Sequence, residues 1–272
     1  MMPTKRLSVS GVTFNVFDEG AGEAVLLLHG FPDSHQVWRR QFPALLDAGY
    51  RVIAPDLRGF GQSDKPQSKE SYAIPKLIGD VAAILDASNV KTAHVIAHDW
   101  GATLAWCVAA LLPDRVKSLT ALSVGHPELF YTSSITQREK SWYMLLFQFP
   151  EAEQLLADDD WQLFREWTRH HSETNKWIEA LSAPGALTAA LNWYRANIDP
   201  AVKTSGIPKV SARTMGLWSS GDPYLTEQLM VDSKRYVAGP WRYERVEDAG
   251  HWLQLDRPQF VNGLILEFLR DG

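Results

Sequence analysis

The stretch HVIAHDWGATLAW, residues 94–106, decides the fold. An apolar run leads into Asp99, and Gly101 and an alanine-rich helical pattern follow. This order, small–x–nucleophile–x–Gly between a strand and a helix, is typical of a nucleophile elbow, a sharp turn that exposes one side chain above a sheet. Ala97 and Gly101 are the small residues that let strand and helix approach closely. The usual version carries serine, whereas this one carries Asp99; the alternative is that Asp99 only caps the helix.

The chain on both sides of this stretch alternates strand and helix patterns. Such alternation predicts an α/β fold, with a mostly parallel sheet flanked by helices. The predicted strands cover residues 7–12, 13–18 (as a hairpin), 24–28, 51–54, 93–98, 118–124, 214–219 and 242–246, and the predicted helices cover 38–46, 74–87, 102–112, 227–236 and 260–269.

The alternation stops after the sixth predicted strand. From about residue 126 to about 205 the patterns are those of amphipathic helices, and five of the eleven tryptophans lie there. A helical block inserted into an alternating chain predicts a cap above the sheet. We therefore expect a core of residues 1–125 and 206–272 with a helical cap of residues 126–205.

Composition excludes several classes of partner. The net charge is −5 with no cluster of Lys and Arg, so we expect no nucleic-acid partner. No apolar stretch is long enough to cross a bilayer and none follows the N-terminal charges, which predicts a cytoplasmic protein without a membrane partner. The single cysteine, Cys107, lies in an apolar helical pattern and is expected in the core. A homo-oligomer remains one alternative for the assembly.

Two further residues of catalytic type follow later strands. Asp222 comes after the strand at 214–219, and His251 lies in a Gly-containing loop after the last predicted strand. Alone, each has an ordinary interpretation, a turn aspartate before Pro223 and a structural histidine. Together with Asp99 they give the order nucleophile, acid, histidine, at strand ends where sites of parallel sheets form. Asp248 competes with Asp222 for the orienting role.

The loop His29-Gly30-Phe31-Pro32 follows the strand at 24–28. Gly30 permits a sharp turn there, and the backbone N–H groups of Phe31 and Trp100 are candidates for an oxyanion hole. His29 is expected to bond within the loop.

An aspartate nucleophile narrows the chemistry. A carboxylate needs no activating base and suits displacement at a saturated carbon, which leaves an alkyl ester on the enzyme. His251, held by Asp222, is then free to activate the water that hydrolyses this ester. A halide leaving group needs N–H donors and an epoxide oxygen needs acids. Tyr143 and Tyr194 of the predicted cap are candidate acids, core packing being the alternative for both.

The sequence resembles the α/β-hydrolase-fold epoxide hydrolases from about residue 14 to its end. The resemblance rests on residues 29–32, 56–63, 98–101, 192–195 and 250–252. It implies that Asp99 is the nucleophile, His251 the water-activating base, Asp222 its partner, and Tyr143 and Tyr194 the ring-opening pair. Ala97 departs from the glycine usual in the family. The expected substrate pocket is lined by Phe31, Trp100, Trp142, Trp193 and Trp252.

Two other families and a non-catalytic role are alternatives. Haloalkane dehalogenases share His-Asp-Trp-Gly, but many of them carry Asn where this chain has Phe31. Fluoroacetate dehalogenases usually carry Arg where this chain has Trp100. A binding protein on this fold would not need the whole set of Asp99, Asp222 and His251. We therefore predict an enzyme that converts an epoxide and water to a vicinal diol, with no metal and no cofactor.

Overall fold

The computed structural model describes residues 3–198 and 206–271, and the strands in this part of the chain form one sheet. The order across it is β1-β2-β4-β3-β5-β6-β7-β8; the pairs β1–β2 and β2–β4 are antiparallel, and the other pairs are parallel. The predicted α/β class with a mostly parallel sheet is confirmed. The strands are β1 (Lys5–Val9), β2 (Val12–Glu19), β3 (Ala24–Leu28), β4 (Arg51–Pro55), β5 (Ala93–His98), β6 (Val116–Leu122), β7 (Arg213–Ser219) and β8 (Trp241–Val246).

Helices flank this sheet, and a group of them lies between β6 and β7 in the chain. The helices are α1 (Phe42–Asp47), α2 (Ile74–Ala87), α3 (Trp100–Leu111), α4 (Glu128–Tyr131), α5 (Ile135–Lys140), α6 (Trp142–Leu146), α7 (Ala152–Trp167), α8 (Thr174–Leu181), α9 (Ala186–Asn197), α10 (Glu227–Asp232), α11 (Leu253–Asp256) and α12 (Pro258–Arg270). Helices α4 to α9 occupy the predicted cap, where the described residues include no strand. The predicted cap boundary at residue 205 lies outside the described residues.

Two local predictions are wrong. The first hairpin turns at Ser10 and Gly11, which have φ of 53° and 75°, so its strands end and begin earlier than predicted. Two such residues form a two-residue hairpin loop. The predicted helix at 38–46 is instead a 3₁₀ turn, His35–Trp38, followed by α1. Pro43 explains the break, because proline starts a helix more readily than it continues one.

Strands β3 and β5 are buried along their whole length and form the centre of the sheet. Helix α3 packs closely over the end of β3: a Cβ on Gly101 would lie 2.3 Å from the Leu28 carbonyl oxygen. The expectation of a small residue at this place is confirmed. Cys107 of α3 is buried, as predicted, and burial raises the pKa of its thiol to about 12. No helix of the described residues is both long and apolar enough to cross a membrane.

Candidate active site

Asp99 occupies a strained turn between β5 and α3. Its φ of 53° and ψ of −125° lie outside the regions that side-chain-bearing residues favour. The side chain makes no capping bond to α3, whereas the backbone oxygen accepts hydrogen bonds from the N–H groups of Ala102 and Thr103 at 2.9 and 3.0 Å. The alternative that Asp99 merely caps the helix is therefore wrong. Backbone strain of this kind costs about 1–3 kcal/mol and is typical of functional sites.

Two backbone N–H groups interact with the Asp99 carboxylate. The Phe31 N–H donates to Oδ1 at 2.7 Å, and the Trp100 N–H also interacts with the carboxylate. Gly30 permits this approach, because a Cβ there would lie 2.2 Å from Oδ1. His29 bonds within the loop as expected: its ring bonds to the Gly30 carbonyl and accepts the Leu57 N–H, each at 2.9 Å.

His251 lies between two carboxylates. Its Nδ1 is 2.8 Å from Asp222 Oδ2, and its Nε2 is 3.4 Å from Asp99 Oδ2. The other oxygen of Asp222 accepts the backbone N–H groups of Tyr224 and Leu225 at 2.8 and 3.0 Å, which fixes the carboxylate. The competing Asp248 is exposed and forms an ion pair with Arg257 instead. The structure thus brings Asp99, His251 and Asp222 together.

The two carboxylates shift the proton affinity of the imidazole. Burial by itself would lower the pKa of His251, but the charge and hydrogen bond of Asp222, together with those of Asp99, raise it well above its usual value. Burial likewise opposes ionisation of Asp99, but the contact with His251 and the Trp100 N–H hold the pKa of this carboxyl below its usual range. At neutral pH the site therefore holds an ionised Asp99 beside a protonated His251.

Tyr143 on α6 and Tyr194 on α9 reach the same place from the predicted cap. Both are buried, and their ring centroids are 6.1 Å apart. Burial raises the pKa of each phenol, and the negative charge of Asp99 raises it further. Two phenols that keep their protons thus lie within the electrostatic reach of the carboxylate, as general acids must.

Aromatic rings join these tyrosines to the loop of residues 29–32, which is named the oxyanion loop after its predicted role. Phe147 contacts Phe31, Tyr143 and Tyr194 at centroid distances of 5.6, 5.5 and 4.9 Å. Trp167, at the end of α7, contacts Phe31 at 5.5 Å and Tyr143 at 5.3 Å. Phe147 and Trp167 are not predicted as site residues from the sequence, where an amphipathic helix pattern is the only signal for them.

The remaining predicted pocket residues have different surroundings. The Trp100 ring contacts Tyr194 at 5.0 Å, whereas Trp193 packs behind it and donates its indole N–H to the Arg58 carbonyl. Trp252 packs against the His251 ring at 5.1 Å. Trp142 is 47% exposed. It lines a groove of about 500 Å³, whose other lining residues include Trp167 and Tyr224.

Comparisons with known proteins show the family of the chain. Residues 23–258 match the sequence model of the alpha/beta hydrolase fold family. The chain is 35% identical to the AB hydrolase superfamily protein YfhM of Bacillus subtilis, over 97% of each chain. It is 33% identical to epoxide hydrolase A of Mycobacterium tuberculosis, over 98% of this chain and 97% of that one. A solved epoxide hydrolase structure from metagenomes of hot environments superposes with a TM-score of 0.90 at 28% identity, over 99% of each chain.

Proposed function

We propose that this chain, which belongs to the α/β-hydrolase fold family and within it to the epoxide hydrolases, converts an epoxide and water to a vicinal diol. The reaction proceeds through an alkyl ester on Asp99. The observation that carries this proposal is that two buried phenols, Tyr143 and Tyr194, lie within the electrostatic reach of Asp99. A carboxylate alone would serve several leaving groups, but nearby acids suit an oxygen that must gain a proton.

In the first step, a carboxylate oxygen of Asp99 attacks a ring carbon of the epoxide and the C–O bond of that carbon breaks. The oxygen released takes a proton from Tyr143 or Tyr194, which leaves a hydroxyalkyl ester on Asp99. The raised pKa of both phenols supports this role. Each phenol remains protonated until an alkoxide, which is a stronger base than phenolate, develops beside it.

In the second step, His251 removes a proton from water and the hydroxide attacks the ester carbonyl of Asp99. His251 must first be neutral. Formation of the ester removes the charge of Asp99, one of the two negative charges that raise the pKa of His251. His251 then gives its proton to the tyrosinate formed in the first step, which restores the phenol. The N–H groups of Phe31 and Trp100 then stabilise the oxyanion. Collapse breaks the C–O bond to the alkyl group, and the leaving alkoxide takes the proton of the added hydroxyl. The diol is released with Asp99 ionised and His251 protonated, so protons balance over the cycle.

Helices α4 to α9 are proposed to close the site over small, largely apolar epoxides. The rings around the tyrosines support this substrate class, because Phe31, Phe147 and Trp167 form a nearly continuous aromatic wall. Such a wall offers little to a charged substrate, whose desolvation would be costly. The partners of the protein are therefore the epoxide and water.

The test of this function compares two products. Purified protein is incubated with styrene oxide in one assay and with 1-chlorobutane or fluoroacetate in another, and diol and halide are measured. We expect diol formation at least about 10³-fold faster than halide release. Asp99→Asn serves as the inactive control. Halide release without diol would show that the dehalogenase alternative is the correct one.

A further inference from the structure

A buried carboxylate outside the triad joins the oxyanion loop to two tryptophans. Asp33 follows Pro32 and is 6% exposed. Its Oδ1 accepts the indole N–H of Trp177 at 2.7 Å, and its Oδ2 accepts that of Trp252 at 2.9 Å. An indole N–H can only donate, and each oxygen of the Asp33 carboxylate accepts one of the two.

The two tryptophans belong to different parts of the site. Trp252 directly follows His251 in the chain and packs against its ring. Trp177 lies on α8 in the predicted cap, and its ring contacts that of Trp252 at 4.4 Å. Asp33 itself is two residues from Phe31, whose N–H binds Asp99. One carboxylate thus connects the oxyanion loop, the loop of the base and a cap helix.

A second, more exposed contact runs beside this one. His171 stacks on Trp177 at 5.0 Å, and its Nε2 lies 3.2 Å from Asp256 Oδ1. The other oxygen of Asp256 accepts the N–H of Gly250, next to His251, at 2.8 Å. Because water reaches Asp256, this contact is weaker than the buried one. The buried carboxylate is therefore the principal connection between α8 and the loop of the base.

Burial makes Asp33 a costly choice for packing alone. It raises the pKa of the carboxyl to about 7 although both indoles oppose the rise, and the charge of Asp99 adds to it. A leucine of similar size would avoid this cost, but it would leave both indole N–H groups without their acceptor. The carboxylate thus satisfies two buried donors and fixes the positions of Trp177 and Trp252 at the same time.

We propose that Asp33 is a positioning residue for the second chemical step: by holding Trp252 it fixes the His251 imidazole, and by holding Trp177 it seats α8 against the same loop. This inference rests on the proposed two-step function. A base that is misplaced by a fraction of an ångström is slow to deliver hydroxide to an ester carbon. Attack by Asp99 on the epoxide does not need the base, so the first step should be spared.

The experiment measures ester formation and ester hydrolysis separately in single turnovers with styrene oxide. The reaction is quenched at a series of times, and the mass of the intact protein is measured by mass spectrometry. Asp33→Asn leaves one acceptor oxygen and turns an NH₂ group toward the other indole. Trp252→Phe removes one donor. Trp38→Phe is the matched control, because the fully buried Trp38 has no partner for its Nε1 among the described residues.

For D33N and W252F we expect ester hydrolysis to slow about tenfold or more, with ester formation changed less than about threefold. W38F should hydrolyse the ester at the wild-type rate. Adding Trp177→Phe to D33N should raise the rate of ester hydrolysis at least about threefold above that of D33N. The single amide oxygen then accepts the Trp252 N–H without a competing donor.

Unchanged rates of ester hydrolysis in D33N and W252F would overturn the inference. Equal slowing of ester formation and ester hydrolysis in D33N, W252F and W38F would also overturn it, because it would indicate a general loss of packing in the core. Should D33N fail to fold, W252F alone decides between these outcomes. A wild-type protein that forms no ester overturns the proposed function itself. If the wild type forms the ester, and D33N and W252F hydrolyse it at the wild-type rate, only the role of Asp33 is overturned.

Discussion

Gly30 offers the sharpest structural test of the oxyanion loop. In Gly30→Ala the new methyl would lie 2.2 Å from Asp99 Oδ1 and 2.6 Å from the Trp100 nitrogen, whereas real Cβ contacts stay beyond 3.0 Å. The carboxylate must therefore retreat by at least 0.8 Å. Its hydrogen bond from Phe31, now 2.7 Å, would lengthen toward about 3.5 Å and weaken greatly.

We expect this displacement to lower kcat/KM for styrene oxide by about 10³-fold, from loss of an oxyanion donor and misplacement of the nucleophile. Overpacking should lower the free energy of unfolding by about 1–3 kcal/mol. Gly79→Ala in α2 is the matched control: its Cβ meets nothing within 4 Å, so activity should stay unchanged and stability should rise by about 0.5–1 kcal/mol. Activity of G30A within about threefold of the wild type would refute the proposed geometry of Phe31 and Asp99.

Three further outcomes are expected. Replacing Tyr143 or Tyr194 with Phe should lower the rate of ester formation, measured in single turnovers, about tenfold. Replacing both should lower it about 10³-fold or more. Full activity of the double variant would mean that both tyrosines serve only as packing residues of the core. Asp222→Asn should slow ester hydrolysis about 10³-fold while Asp248→Asn leaves it unchanged, and equal effects would contradict the assignment of the acid. Because the pKa of His251 is raised on folding, its contribution to stability is complete below its unfolded pKa of 6.5 and lost as the pH rises through the folded value. The difference in melting temperature between wild type and His251→Gln should therefore shrink from pH 6 to about pH 10, and a growing difference would contradict the sign.

The meeting of Asp99, His251 and Asp222 in one place could be predicted because the signals for these residues are local. Each of its members follows a buried strand, and the chain order of the three residues limits the chemistry before any contact is known. The bounds predicted for β5 and α2 match the structure, since an apolar run or a helical period within one segment decides them. The sequence also favours Asp222 over Asp248, and in the structure Asp222 lies 2.8 Å from His251 whereas Asp248 pairs with Arg257.

The aromatic wall and Asp33 could not be predicted, because their contacts join distant segments. Phe147 and Trp167 are ordinary members of amphipathic helices until α6 and α7 are placed over Phe31. The backbone of α7 also leaves the helical conformation between Asp158 and Trp161, with positive φ at three of these residues, which helix propensity does not foresee. Asp33 stands next to the quoted loop motif, yet its two donors come from 144 and 219 residues away.

The measurement that tests the account most directly is the intact mass of His251→Gln after incubation with styrene oxide. The two-step reaction predicts that ester formation continues and hydrolysis stops, so the protein should gain the mass of one epoxide, located on Asp99 by peptide mapping. The wild type should show no lasting adduct and Asp99→Asn none at all. Loss of turnover in His251→Gln without any adduct would contradict the covalent ester, and with it the central role given to Asp99.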